Sequence, residues 1–321
     1  MPLTTLMRYF LSVTLFFAFF SGLKAQQEPQ VTHNMFNNAF VNPGSYGLSD
    51  GITVTGIFRE QWVGFKDDEN NKVSPETFLL TADAPVRFLH GGLGFGLAQD
   101  KEGQFKNMLV KLGYSYHMNL GNAKLGFGVN ANFNNRSISD KSLLHPVVES
   151  DPVLMGLTTD GVTITDMSVG VFLQKPRYYI AFSSTQILET KKTSGDAGGI
   201  IPYQNSRHYY LTGGHDITLP AYQGYVFTPS VFLKSDGNTI QADINLMARY
   251  NNKVWGGVSY RISDAISMMV GVAYKDIEIG YAYDIPTSKI AASGSHEIMA
   301  RYRFKLERDK TRSGYRNTRY L

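Results

Sequence analysis

The sequence predicts an all-β protein: a transmembrane antiparallel β-barrel of about 14 strands, with long external loops and short periplasmic turns. Three observations point there. Charged residues are 18% of the 321 and hydrophobic ones 43%, against about 25% charged in an ordinary soluble domain. Period-two alternation of apolar and polar residues runs through most of the chain. The long connections between alternating segments fall on one side, as they do in outer-membrane barrels.

The chain starts with the pattern of a signal peptide over residues 1–25. Arg8 is a short basic region and Phe10–Phe20 an apolar run. Ser21 to Ala25 supplies small residues before a cut ahead of Gln26. The apolar run is shorter than the ~18 residues of a spanning helix. There is no cysteine, hence no disulfide framework, thiolate metal site or lipoprotein anchor.

Residues 26–50 are polar, with turn chemistry at Asn42-Pro43-Gly44, and are expected to form a periplasmic N-terminal segment. The barrel is expected over 51–306, its strands near 52–62, 76–83, 91–99, 107–118, 124–134, 162–174, 177–186, 207–218, 222–234, 238–250, 253–262, 264–275, 276–285 and 294–306. The alternation is clean where Phe127, Val129 and Phe133 interleave with Gly128, Asn130 and Asn132, and where Ile244 and Leu246 interleave with Asp243, Asn245 and Met247. The longest connections, 63–75, 135–161, 187–206 and 286–293, are all odd-numbered. An even strand count then places both termini in the periplasm.

Alternation alone does not say which face is wet, but size does. About eight strands make an interior that side chains fill, whereas many more enclose a lumen. The apolar face therefore goes to lipid, where closure pairs every backbone group. Lys111, Asn130, Asn132, Asp243, Asn245, Arg249, Arg261 and Glu278 are left to the lumen. A soluble two-sheet sandwich is the main rival. Trp62, Phe65, Tyr178, Tyr179, Tyr209, Tyr210, Tyr281 and Tyr283 are candidates for interfacial girdles.

The formal net charge of +4 belongs to the end of the chain. Lys305, Arg308, Lys310, Arg312, Arg316 and Arg319 face only Glu307 and Asp309 there. This basic tail, 307–321, is expected either to be a solvated terminus with no role or to dock on an acidic periplasmic partner or anionic headgroups, and the pattern does not suggest nucleic acid. No nucleophile elbow occurs, and the seven histidines lack a metal-ligand spacing. No catalytic, metal or cofactor site is expected. Gly92, Gly94 and Gly96 lack a nucleotide-loop spacing and read as small residues allowing close backbone approach.

Two blocks carry a family resemblance. One is Asn42-Pro43-Gly44-Ser45-Tyr46-Gly47 with Arg59-Glu60-Gln61-Trp62-Val63-Gly64-Phe65. The other is Ile279-Gly280-Tyr281-Ala282-Tyr283-Asp284 with Ser293-Gly294-Ser295-His296-Glu297-Ile298-Met299-Ala300-Arg301-Tyr302-Arg303-Phe304. Together they resemble the PorP/SprF family of type IX secretion system membrane proteins of Bacteroidota. One departure is Gly44, where the family often has Ala. The resemblance implies a non-enzymatic outer-membrane component serving protein secretion and gliding motility. Its implied partners are periplasmic ring lipoproteins, a peptidoglycan-binding lipoprotein and cargo with a C-terminal sorting domain. A porin or solute channel is the second reading.

The candidate interaction residues are Asn42, Pro43, Gly47, Arg59, Gln61, Trp62, His296, Glu297, Arg312, Arg316 and Arg319. Asn42, Pro43 and Gly47 are expected either to shape the N-terminal segment at the barrel mouth or merely to cap the first strand. Arg59 is expected to make a lumenal hydrogen bond and Trp62 an interfacial anchor. His296 and Glu297 are adjacent on a strand and so point to opposite faces.

Overall fold

The computed structural model describes residues 28–66, 72–138, 161–194, 201–287 and 293–306. The strands are β1 (Gly51–Glu60), β2 (Glu76–Val86), β3 (Gly91–Glu102), β4 (Phe105–Leu120), β5 (Ala123–Ile138), β6 (Val162–Gln174), β7 (Tyr178–Thr185), β8 (Lys191–Ser194), β9 (Ile201–Gln204), β10 (His208–His215), β11 (Ile217–Thr218), β12 (Tyr225–Ser235), β13 (Ile240–Tyr250), β14 (Val254–Arg261), β15 (Ala265–Tyr274), β16 (Ile277–Pro286) and β17 (Ser295–Lys305).

Fourteen of these, all but β8, β9 and β11, form one closed antiparallel barrel. Each pairs with its neighbour, and the ring closes where β1 meets β17, from Gly51↔Lys305 to Glu60↔His296. The last wall join is β10 on β12, running from Tyr209↔Ser235 to Gly214↔Ser230. β8 and β9 form a separate hairpin in a long connection. Among the described residues no helix is long and apolar enough to cross a membrane; the strands cross instead.

The alternation resolves as expected. Phe127, Val129, Ile244, Leu246, Val258, Met268, Val270 and Ile279 are exposed on the outer wall. An apolar band this extensive around a closed barrel is the surface a membrane-spanning barrel presents to lipid. Lys111, Asn130, Asn132, Asp243, Asn245 and Arg261 are buried on the inner wall, and Arg249 pairs there with Glu278.

Several boundaries differ. β4 and β5 are longer than expected, because their ladder continues past the lipid-facing stretch through Lys106↔Ser137 and Asn107↔Arg136. The expected strand 207–218 breaks after His215; Ile217 and Thr218 pair with Phe227 and Val226 as a separate short piece. The eighth connection thus runs from 216 to 224, comparable with the long one at 287–294, and the odd–even asymmetry is incomplete. Of the expected girdle, Tyr210 is buried in the lumen, and Tyr179 lies under Phe172 against the inner wall. Each follows an outward tyrosine, so alternation sends it inward.

The largest departure concerns the N-terminal segment. Residues 28–48 do not form a periplasmic arm. They run down the inside of the barrel, with short 3-10 turns at Asn34–Phe36 and Pro43–Ser45 and one helical turn at Asn38–Val41. Glu28 lies among Lys111, Gln186 and Tyr210 toward the long-loop end. Gly51 enters β1 at the short-turn end, beside Lys305. The two described chain ends therefore lie toward opposite mouths, not the same one.

Candidate functional site

The lumenal segment is held by side chains that the strands place on the inner wall. Near the long-loop end, β1, β16 and β17 bring Arg59, Asp284 and Glu297 together, all buried. Arg59 Nη1 lies 2.6 Å from Asp284 and 3.2 Å from Glu297. Arg59 and Glu297 are register partners across the closing seam. Thr32 and His33 fill this cluster from inside. Glu297 accepts from the Thr32 amide at 2.7 Å, the His33 amide at 2.8 Å and His33 Nδ1 at 2.7 Å. The Thr32 hydroxyl donates to Asp284 and accepts from Arg59. Two backbone donors that would otherwise be stranded in the lumen are thus satisfied by a carboxylate.

The middle of the segment is apolar. Phe36 packs on Trp255 of β14 with ring centroids 4.8 Å apart, and His33 meets the same indole edge-on. Phe40 lies beneath the Lys111 ammonium, 4.1 Å from its centroid. Around these rings the inner wall carries Ile57, Leu79, Leu109, Met247, Met269 and Met299, all buried in one cluster with Phe36 and Phe40. Polar contacts flank it. Asn34 donates to Asp243, and Thr81 to Asn37. Glu28 takes Lys111 at 3.2 Å and the Tyr210 hydroxyl at 3.1 Å.

The lower part meets a floor of glycines on β3, β4, β5 and β6. The Asn42 side chain accepts from the Gly44 amide and donates to the carbonyls of Val171 and Phe182, clipping together β6 and β7. Pro43 lies over Gly128, and Tyr46 over Gly92 and Gly94. A methyl group on Gly44 would come within 2.8–2.9 Å of the Gly126 and Gly170 carbonyls, which explains why this chain has no side chain there. Gly47 takes a positive φ of 66° and donates its amide to Asp83; a Cβ there would also meet Gly92 and Ala84.

A cavity lies at each mouth. At the long-loop end a vestibule of about 720 Å³ has Glu28, Pro29 and Gln30 on its floor and Gln61, Trp62 and Asp264 on its walls. Beside it, hydrogen bonds to Glu60 and Glu76 hold the Lys72 ammonium above its ordinary range. At the short-turn end are recesses of about 280 and 430 Å³.

The predicted residues divide as follows. Asn42, Pro43 and Gly47 belong to the lumenal segment. Arg59 and Glu297 join its latch, far from the first trio. Gln61 donates its amide to the Pro75 carbonyl. Trp62 stacks edge-on with Phe65 at φ 52°, its amide on Ser295, and lines the vestibule. His296 points outward and meets the Tyr281 hydroxyl at 2.6 Å. Arg312, Arg316 and Arg319 lie outside the described residues. Sequence reasoning missed Thr32, His33, Phe36, Phe40, Tyr46, Trp255 and Asp284. Their one visible signal is on the wall: apolar Leu79, Met247 and Met299 on a face that a water-filled pore would make polar.

The profile of the type IX secretion system membrane protein PorP/SprF family matches residues 23–302. No curated protein sequence matches the chain. Among solved structures it is similar to the outer membrane protein Omp33 of Acinetobacter baumannii, with TM-score 0.45 and 10% identity over 80% of this chain and 100% of that one. It is also similar to the toluene transporter TodX of Pseudomonas putida, with TM-score 0.45 and 10% identity over 88% of this chain and 95% of that one. A mutant porin of Rh. blastica gives TM-score 0.32 and 10% identity over 79% of this chain and 99% of that one. At such identities the likeness concerns the fold alone. The family match spans most of the chain: this outer-membrane barrel belongs to the type IX secretion system membrane protein PorP/SprF family.

Proposed function

We propose that the chain is a plugged, non-enzymatic anchor of the type IX secretion system, built to hold partners and receive cargo rather than to conduct solutes. The observation that carries this reading is the lumenal segment. Residues 28–48 reach β1 to β7 on one side and β13, β14, β16 and β17 on the other, through Asn42, Tyr46, Phe36 and the Thr32–His33 latch. A conducting pore needs a continuous water path, and the contacts of this segment with both sides of the wall, lying between the upper vestibule and the lower recesses, support a plugged lumen.

In this reading the short-turn rim, with the basic tail, faces the periplasm and meets the ring lipoproteins and the peptidoglycan-binding lipoprotein. The long loops and the vestibule face outward, toward cargo with a C-terminal sorting domain, and the assembly serves secretion and gliding. Two measurements test it. Purified protein in planar bilayers is expected to give no steady conductance, and a gentle detergent pull-down is expected to retain other secretion components. A steady open pore with no secretion partner retained would overturn the proposal in favour of a solute channel.

A further inference from the structure

The two recesses at the short-turn mouth share Arg301 and Arg303. The larger adds Arg249, Lys275 and Lys305, and the other adds Lys175 and Arg177. The carboxylates nearby are already engaged. Glu278 holds Arg249 at 2.9 Å and Arg301 at 3.8 Å. Asp276 holds Lys305 at 2.8 Å. Asp216 accepts from Thr228, and Asp83 accepts from the Gly47 amide. Among the described residues Arg177, Lys275 and Arg303 have no ion-pair partner, so the mouth carries an excess of positive charge.

Two further facts narrow what this excess suits. Arg301 and Arg303 alternate with Tyr302 and Phe304, whose rings are exposed on the outer wall. The arginines therefore face the inside of the rim, with the barrel wall between them and the lipid headgroups. The chain's own continuation, 307–321, carries Arg308, Lys310, Arg312, Arg316 and Arg319 against Glu307 and Asp309. Its net positive charge does not complement the recess. The opposite mouth carries Glu28, Asp100, Glu102 and Asp264 against Arg59 and Arg261, and both arginines are ion-paired, so it offers no comparable excess of positive charge.

We propose that these two adjoining recesses, joined at Arg301 and Arg303, dock an acidic, extended segment of a partner protein, with Arg303, Lys275 and Arg177 taking its carboxylates through charge-assisted hydrogen bonds. It rests on the preceding reading in treating the short-turn face as the one offered to periplasmic components.

The experiment uses the full chain in nanodiscs of zwitterionic lipid and a fluorescein-labelled octaglutamate peptide read by anisotropy. Saturable binding is expected at low salt, weakening as salt rises. Combined Arg303→Glu and Lys275→Glu is expected to lower affinity roughly tenfold or more. Asp100→Asn at the other mouth is expected to leave it unchanged. Both altered side chains sit at the mouth, and unchanged heat-shifted gel migration confirms a folded barrel. Equal binding by the double variant, or equal binding of octalysine, overturns the proposal. So does native mass spectrometry of the protein in nanodiscs doped with phosphatidylglycerol, if it shows that lipid held by the wild type and lost from the double variant, which marks a lipid site. Retention of secretion partners separates the two readings. If the wild type retains none, the preceding proposal fails while the peptide result stands; if the double variant retains them all, only the acidic-segment inference fails.

Discussion

Replacing Glu297 by Gln keeps the shape of the latch and removes its charge. One carboxylate oxygen now becomes an amide NH₂ that faces a donor. Either the Thr32 or the His33 amide, at 2.7 and 2.8 Å, then loses its acceptor, and a buried unsatisfied donor costs about 1–3 kcal/mol. The remaining bonds fall from charge-assisted to neutral strength, losing roughly 1 kcal/mol more. Breaking a buried ion pair outright costs about 3–5 kcal/mol, but Arg59 keeps Asp284 at 2.6 Å. The total therefore sits near the lower end, about 3 kcal/mol. That raises the population with the upper segment released roughly a hundredfold. The chain has no native cysteine, so Asn34→Cys, buried beside Asp243, reports release. Its labelling rate follows the open population and is expected to rise about a hundredfold in the Glu297→Gln background, while gel migration still shows a folded barrel. Equal rates in both backgrounds would refute the claim that Glu297 holds the segment.

Gly44→Ala is expected to destabilise the segment by about 1–3 kcal/mol, since its methyl group meets two carbonyls of the wall; urea titration of the refolded protein measures it. Asn42→Ala removes one acceptor and two donated bonds and is expected to cost about 1–3 kcal/mol, seen as faster amide exchange over residues 42–46. Trp255→Ala leaves a cavity beside Phe36 and His33 and is expected to cost about 3–5 kcal/mol in the same titration. Val270→Arg places a charge on the exposed outer wall of β15, away from both strand ends, and is expected to cost about 2–4 kcal/mol in lipid vesicles. A neutral effect there would mean that the outer wall does not meet lipid.

The barrel was legible because lipid enforces a period of two strand after strand. Phe127, Ile244 and Val258 had to face out and Asn130, Asp243 and Arg261 in. Strand ends were less legible: the ladder runs on through the polar pairs Asn107↔Arg136 and Lys106↔Ser137 to Phe105↔Ile138, with no alternation to mark it. The lumenal segment was not legible, because its turns are too short to show any period and its partners are scattered over a dozen strands. Arg59 and Glu297 both stood out in sequence, but only the register of β1 on β17 makes them neighbours. Of the glycines read as allowing close backbone approach, Gly92 and Gly94 meet the Tyr46–Gly47 stretch, whereas Gly96 faces only side chains; Gly113, Gly126, Gly128 and Gly170, which lie under the same segment, carried no such signal in sequence.

The latch also bears on how the barrel closes. The β1–β17 ladder joins the two ends of the chain and so carries the longest loop closure in the fold. Arg59, Asp284 and Glu297 come from the strands on either side of that seam, and Thr32 and His33 supply the donors that complete them. A barrel closed without the segment would leave this cluster facing the empty lumen, and threading residues 28–48 through afterwards would drag Phe36, Phe40 and their backbone past polar groups already paired elsewhere. Curling the sheet around a segment already lying on the β3–β6 glycine floor avoids both penalties. The residues that bridge the closing seam are thus also the ones that hold the plug.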